Sequence, residues 1–261
     1  MFRFSADRFP VACVLAFSVV DFAVYFTVDS LAWLVTYTVL TIVPKGIVCA
    51  WNHHHQHTKT FHATWANRVL EFFYALHTGV TTNLWVLHHV LGHHRNFLDQ
   101  ERDESAWKRK DGTVMGVFEY SVTIAATAYP RGYKVGKKFP RLQRDFITYA
   151  LLSLVGVIAI TVYRPVPALF VFLIPMALAL LFTAWVTFDH HSGLDSDDPM
   201  EASYNNTSPF FNLMTGNLGY HTAHHYKQGL HWSKLPELHK QLEGDIPPEL
   251  VRNAKFVLAN G

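Results

Sequence analysis

Charge and cysteine are what this chain has least of. Charged residues fill 16% of its 261 positions and apolar residues 50%, a balance that points away from the soluble class and toward the membrane. Two cysteines, Cys13 and Cys49, are too few for a thiolate-held iron–sulfur centre or a disulfide framework. Both sit in apolar runs, where a free thiol serves as a small apolar filler. A Gly-rich dinucleotide fingerprint is missing as well, so electrons for any redox chemistry have to come from a separate protein. The net charge of +2 makes no case for a nucleic-acid partner. Basic residues mix with acids in LDQERDESAWKRKDG, which reads as a solvated loop or the seat of a redox partner. With no repeat, low-complexity tract or linker to divide it, the chain is expected to form one domain over residues 1–261.

Long apolar runs are what it has. Residues 10–28 carry one charge, Asp21; residues 31–51 carry one, Lys45; residues 146–163 and 166–188 carry none. A helix rising ~1.5 Å per residue needs roughly 20 residues to cross the hydrocarbon core, so each run is long enough. A cleaved signal peptide is the alternative for the first run, but Asp21 interrupts it and no small-residue cleavage site follows. Asp29–Ser30 links the first pair of runs and Arg164–Pro165 the second. The expected fold is therefore all-α and integral to the membrane, with four transmembrane helices in two tight hairpins and Pro175 kinking the fourth. Residues 91–145 hold eleven Lys or Arg, and the short links hold Arg164. The positive-inside rule then places both termini and the long central segment in the cytoplasm. Residues 69–90 and 114–129 are apolar but diluted by Glu71, His77, Asn83 and Glu119. They are expected at the cytoplasmic interface, as helices of a cap.

Histidine is the residue in excess. Of seventeen histidines, all but His62, His77, His231 and His239 fall in four short clusters: HHHQH from His53, HHVLGHH from His88, the pair His190–His191, and HTAHH from His221. Residues three or four apart share a helix face. His53 and His57 are so spaced, as are His221, His224 and His225. His89, His93 and His94 come close to the same pattern, with Gly92 leaving room. Neutral imidazole is a good ligand for iron, zinc, copper and nickel. Eight or nine convergent rings are too many for one ion and about right for two. With four spans all clusters reach one membrane face. If residues 69–90 crossed as well, a ~30 Å core would separate the first two clusters.

The set HHHQH, HHVLGHH and HTAHH resembles the three histidine boxes of the membrane-bound fatty acid desaturase and alkane hydroxylase superfamily. The phrases NLGYHTAHH and GLHWSKLPELH are similar to its bacterial desaturase-like branch. The resemblance implies a di-iron centre held by histidines, using O₂ and two electrons against an unactivated C–H bond. Residue by residue, it implies His53 and His57 as ligands from the first box, with His54 and His55 as rivals. It implies His89, His93 and His94 from the second, preceded by His88, and His221, His224 and His225 from the third. A further ligand is implied after the fourth span, where His190 is favoured over His191. Relatives often carry an asparagine four residues before that histidine; Val186 and Thr187 stand there instead. Ligand rings need acceptors on their other nitrogen; Asp189, His191, Asn217, Asn52, Asp195 and Asp198 are the candidates.

The function so implied is a membrane oxidoreductase, foremost a fatty acyl or lipid desaturase that places a double bond in a long alkyl chain. Hydroxylation and alkene-forming decarboxylation of a fatty acid use the same kind of centre, and the boxes do not separate these outcomes. The substrate's tail would enter a greasy tunnel, for which Phe72, Phe73, Tyr74, Trp85 and Trp107 are candidate walls. A ferredoxin, rubredoxin or cytochrome would supply electrons, docking on the basic segment 131–144. The expected setting is a bacterial inner membrane, among its lipids, with the active site on the cytoplasmic side. A metal transporter would need ligands near the bilayer midplane, and a bis-histidine haem protein would need them on facing spans. The apolar runs have no interior histidine, which disfavours both.

Overall fold

Each apolar run forms a helix, and each helix reaches beyond its run at the end where the chemistry lies. The structure, a computed structural model, describes residues 1–255; residues 256–261 of the expected domain lie outside the described residues. Helix α1 (Arg8–Thr27) follows a 3-10 turn at Ser5–Asp7, and α2 spans Leu31–His57. Helix α2 does not stop with the apolar run at residue 51. It continues through NHHHQH, which contains nothing that breaks a helix, and carries the first histidine cluster on its last turns. Helix α3 (Thr64–Thr78) buries one face, including Leu70, Glu71, Tyr74 and His77. Gly79 ends it at φ 69°, a left-handed cap that costs glycine little and other residues more. Asn83 is left-handed too, at φ 61°, and a π turn follows at Val86–Val90. Residues 69–90 are thus not one spanning helix.

Helix α4 (Val117–Gly136) buries Tyr120, Ile124, Ala128 and Val135 and leaves Phe118 and Val122 exposed. Helices α5 (Pro140–Tyr163) and α6 (Pro165–His191) each open on a proline, whose missing N–H is one that a helix start leaves unpaired anyway. Helix α5 therefore begins at Pro140, ahead of the apolar run, and α6 runs on through both His190 and His191. The spans Ser5–Thr27, Leu31–His57, Pro140–Tyr163 and Pro165–His191 are long and apolar enough to cross a membrane. They form the two expected hairpins. The links at 28–30 and 164 lie at one end, and the histidine-bearing ends of α2 and α6 lie at the other.

Inside the bundle the few polar residues find one another. Asp21 is 0% exposed. Its Oδ1 accepts from Lys45 Nζ at 2.8 Å and from Tyr37 Oη at 2.6 Å. Its Oδ2 lies 3.2 Å from His77 Nδ1, and His77 Nε2 is 3.0 Å from Ser18 Oγ. The break expected at Pro175 takes the form of a π turn at Leu169–Leu173. Pro175 has no N–H to return to the preceding turn. The carbonyls of Phe170 and Val171 accept instead from Thr38 Oγ1 and Lys45 Nζ, each at 2.7 Å. One proline thereby stitches α6 to α2.

The C-terminal part completes the cap with α7 (Pro209–Thr215), α8 (His221–Tyr226) and α9 (Leu235–Leu242). A two-residue parallel pair, β1 (Asn205–Asn206) with β2 (Val251–Arg252), closes it. The N-terminus is fastened to this cap. Asp7 Oδ1 accepts from Trp232 Nε1 at 2.8 Å and lies 3.0 Å from His231 Nε2.

Candidate metal centre

Imidazole nitrogens from four segments meet in two groups at one end of the bundle. His53, His57, His89, His94 and His224 form the first; His93, His191 and His225 form the second. His221 joins the second, its Nε2 at 3.0 Å from that of His191 and 3.2 Å from that of His225. In the first group the Nε2 atoms of His53 and His89 are 2.8 Å apart, those of His57 and His53 3.2 Å, and those of His94 and His89 2.9 Å. One ring nitrogen offers one hydrogen or one lone pair. It cannot serve two neighbouring Nε2 atoms pairwise, as the His53 and His89 positions would require. Nitrogens bound ~2.1 Å from one ion at right angles sit about 3.0 Å apart. The donor set therefore fits two ions, one per group.

Local structure explains the sorting. His221 and His225 are four apart on α8 and go to one group, while His224 turns to the other. His89 and His94 are five apart, too far round an α-helix to share a face. The π turn corrects this: His94 N–H donates to the His89 carbonyl at 2.9 Å, and the wider winding brings i and i+5 together. Gly92 is required here, since a Cβ would lie 2.4 Å from the His88 carbonyl oxygen. Burial, followed by the charges of neighbouring rings, holds His89, His94, His221, His224 and His225 well below the ordinary imidazole range. Neutral rings with free lone pairs are what a metal needs.

Several residues named from the sequence stand apart from the two groups. His190, the favoured ligand, stands in neither group. Its neighbour His191 faces His93, with Nε2 atoms 3.3 Å apart, because consecutive residues on α6 point about 100° apart. Of the first-box rivals, His54 Nε2 turns to the Thr215 carbonyl at 3.0 Å. His55 bonds to Thr60 and Glu71, and buried Glu71 also binds Lys59, Arg68 and Thr82. His88 lies outside both groups. The other residues suggested as acceptors have bonds of their own. The Asp189 carboxylate is bound by Arg252, Asp195 by Lys108, and Asp198 caps Met200. Asn52 bonds to Thr78 and Asn217 to the Trp232 carbonyl.

The acceptors that do hold rings of the two groups were not foreseen. Both carboxylate oxygens of Asp103 lie 2.9 Å from His93 Nδ1, and the Ala202 carbonyl lies 2.9 Å from His191 Nδ1. Asp103 belongs to the run read as a solvated loop. In the fold Asp103, Glu104 and Ser105 are buried, with the Asp103 carboxylate also accepting from Ser105 N–H at 2.7 Å. The only hint in the sequence was an acid ten residues after a cluster histidine.

An apolar cavity of about 590 Å³ leads to the rings between α2, α4, α6 and α7. His53, His89 and His221 stand on its wall beside Ile47, Ala125 and Ala179. Trp85 lines it, but the other aromatic candidates do not. Phe72 faces a smaller cavity near α5, Tyr74 and Phe73 belong to the core around Trp51, and Trp107 packs with Tyr120 and Ala184.

No curated protein and no solved structure matches the chain. The profile described as fatty acid desaturase does match, over residues 29–254. That range takes in the second span, the whole second hairpin and every ring of the two groups, and on it the chain belongs to the fatty acid desaturase family, whose general activity is oxidation of the desaturase or oxygenase type on a lipid or acyl chain.

Proposed function

We propose that this protein is an O₂-dependent di-iron desaturase of long fatty acyl or alkyl chains. The observation that carries the reading is the convergence of nine imidazoles in two groups, with His53, His89 and His221 among them on the wall of an apolar cavity. The ligands proposed are His53, His57, His89, His94 and His224 for one iron and His93, His191, His221 and His225 for the other. The bound irons would supply the activation of O₂ that attack on an unactivated C–H bond requires. The protein's own residues do the rest. Asp103 and the Ala202 carbonyl fix the ring orientation of His93 and His191. The walls of α2, α4 and α6 hold the alkyl chain and keep water out. Hydroxylation and alkene-forming decarboxylation remain rival outcomes of the same centre.

Electrons would come from a ferredoxin, rubredoxin or cytochrome. Within the basic segment, Arg131 and Lys134 are paired with Glu104. Lys137, Lys138 and Arg141 are thus the better seats for an acidic partner. The charge asymmetry of the loops supports placing this face in the cytoplasm.

Elemental mass spectrometry of the purified wild type beside His224→Ala tests the class. The expected result is about two irons per chain, lost from the variant, with new double bonds in the lipids of expressing cells. A single zinc, or metal no higher than in the variant, would sink it.

A further inference from the structure

The cavity is apolar at its mouth and polar at its end. Val43, Phe118, Phe182 and Phe210 line it, and all are exposed, Phe118 by 76%. At the far end stand ring groups and two histidines that belong to neither, His88 and His190. Both are 2% exposed, and the Nε2 of each has no hydrogen-bond partner. The His190 ring stacks on His221 with centroids 3.8 Å apart; His88 is the chain neighbour of His89 and stacks on Trp85. Apart from the rings of the two groups, the wall offers chiefly hydroxyls that are already bonded. The hydroxyls of Ser121, Thr183, Thr187 and Thr215 each donate to the carbonyl four residues back.

A buried, unpaired imidazole nitrogen is costly and is best explained by a ligand that completes it. His190 Nδ1 lies 3.4 Å from the Tyr204 carbonyl. This favours the hydrogen on Nδ1 and leaves Nε2 as an acceptor. His88 can take either role. The matching ligand both donates and accepts, as a neutral carboxyl or a primary hydroxyl does. Either is also cheaper to bury than a charge.

We propose that the substrate is a single-chain amphiphile that enters head-first. Its carboxyl or hydroxyl sits between His88 and His190, and its tail trails through the apolar mouth into the membrane. This rests on reading the cavity as the alkyl chain's place. The carbons next to the head group are then the ones nearest the two ring groups, so oxidation falls at the head end of the chain and not at its middle. The rival seat for the head group is Lys255, an exposed charge on the lining.

The test is equilibrium binding to the metal-loaded protein of four ligands of equal chain length: fatty acid, fatty alcohol, methyl ester and alkane. The wild type is expected to bind acid and alcohol about tenfold or more tightly than ester and alkane. His88→Phe and His190→Phe should lose that preference with metal content unchanged, and Lys255→Gln should keep it. His88→Gln and His190→Gln, which retain a hydrogen-bonding side chain, should recover part of it and stand in for a phenylalanine variant that does not fold. Equal affinities in the wild type, loss of preference in Lys255→Gln, or loss of metal from His190→Gln would each overturn the proposal. Failure of the oxidase reading itself would appear separately, as absent iron or absent product, with the binding preference still readable.

Discussion

His190 and His191 are chain neighbours whose rings serve different partners. His191 meets His93 and His221, while His190 lies flat against His221 from outside the group. Replacing His191 by alanine should therefore remove metal from the second group, leaving about one ion per chain. His190→Ala should leave both. Elemental analysis after gel filtration separates the two outcomes. Asp103 acts through His93, and losing such a carboxylate typically costs about 10–100-fold in metal affinity. Asp103→Asn should show that loss in a chelator competition, and Asp103→Glu should recover part of it. Three histidine boxes were legible because spacing reports which residues share a helix face. The choice between His190 and His191 was not, since spacing gives relative angles but not which way the helix faces. Asp103 was hidden for a different reason: an acid among lysines and arginines looks solvated until the fold buries it.

At the scale of elements, apolar composition located all four spans and misjudged their ends. Hydrophobic runs measure contact with lipid, whereas a helix ends where its backbone bonding ends. Helices α2 and α6 outlast their runs by the turns that carry His53–His57 and His190–His191. The π turn at Val86–Val90 was invisible for a related reason, because π winding has no residue signature comparable to proline or glycine. The Asp21–Lys45 pair joins α1 to α2 in a buried setting. Removing one partner strands the other charge, at a cost of about 3–5 kcal/mol, while removing both is far milder. Asp21→Leu should thus unfold at clearly lower temperature in detergent. Asp21→Leu with Lys45→Met should regain most of the loss. Equal melting of the two variants would deny the pair this role.

For the molecule as a whole, the histidines couple stability to pH. Burial depresses His88 to about 3 and holds His89, His94, His221, His224 and His225 below the imidazole range. Unfolded, the same rings take up protons near pH 6.5. Below that value the unfolded chain binds more protons than the folded one. Their contribution is complete above about pH 6.5 and erodes as the pH falls. The metal-free protein should melt at progressively lower temperature between about pH 7 and pH 5, and bound metal should delay the decline. Docking is also a property of the whole surface. Reversing charge at Lys137 and Lys138 should slow turnover with an acidic electron donor and flatten its salt dependence. The two ring groups have one more consequence, which concerns timing. Both cysteines are free, so bound ions would be the bridges of this chain, tying residue 53 to residue 224 across a long loop. The first group waits for His224 and the second for His221 and His225. During synthesis from the N-terminus, all four spans are made before either group can close. A copy halted at residue 220 would already have all four spans, yet it could complete neither set of rings, so insertion would come first and metal loading would be among the last events in the protein's maturation.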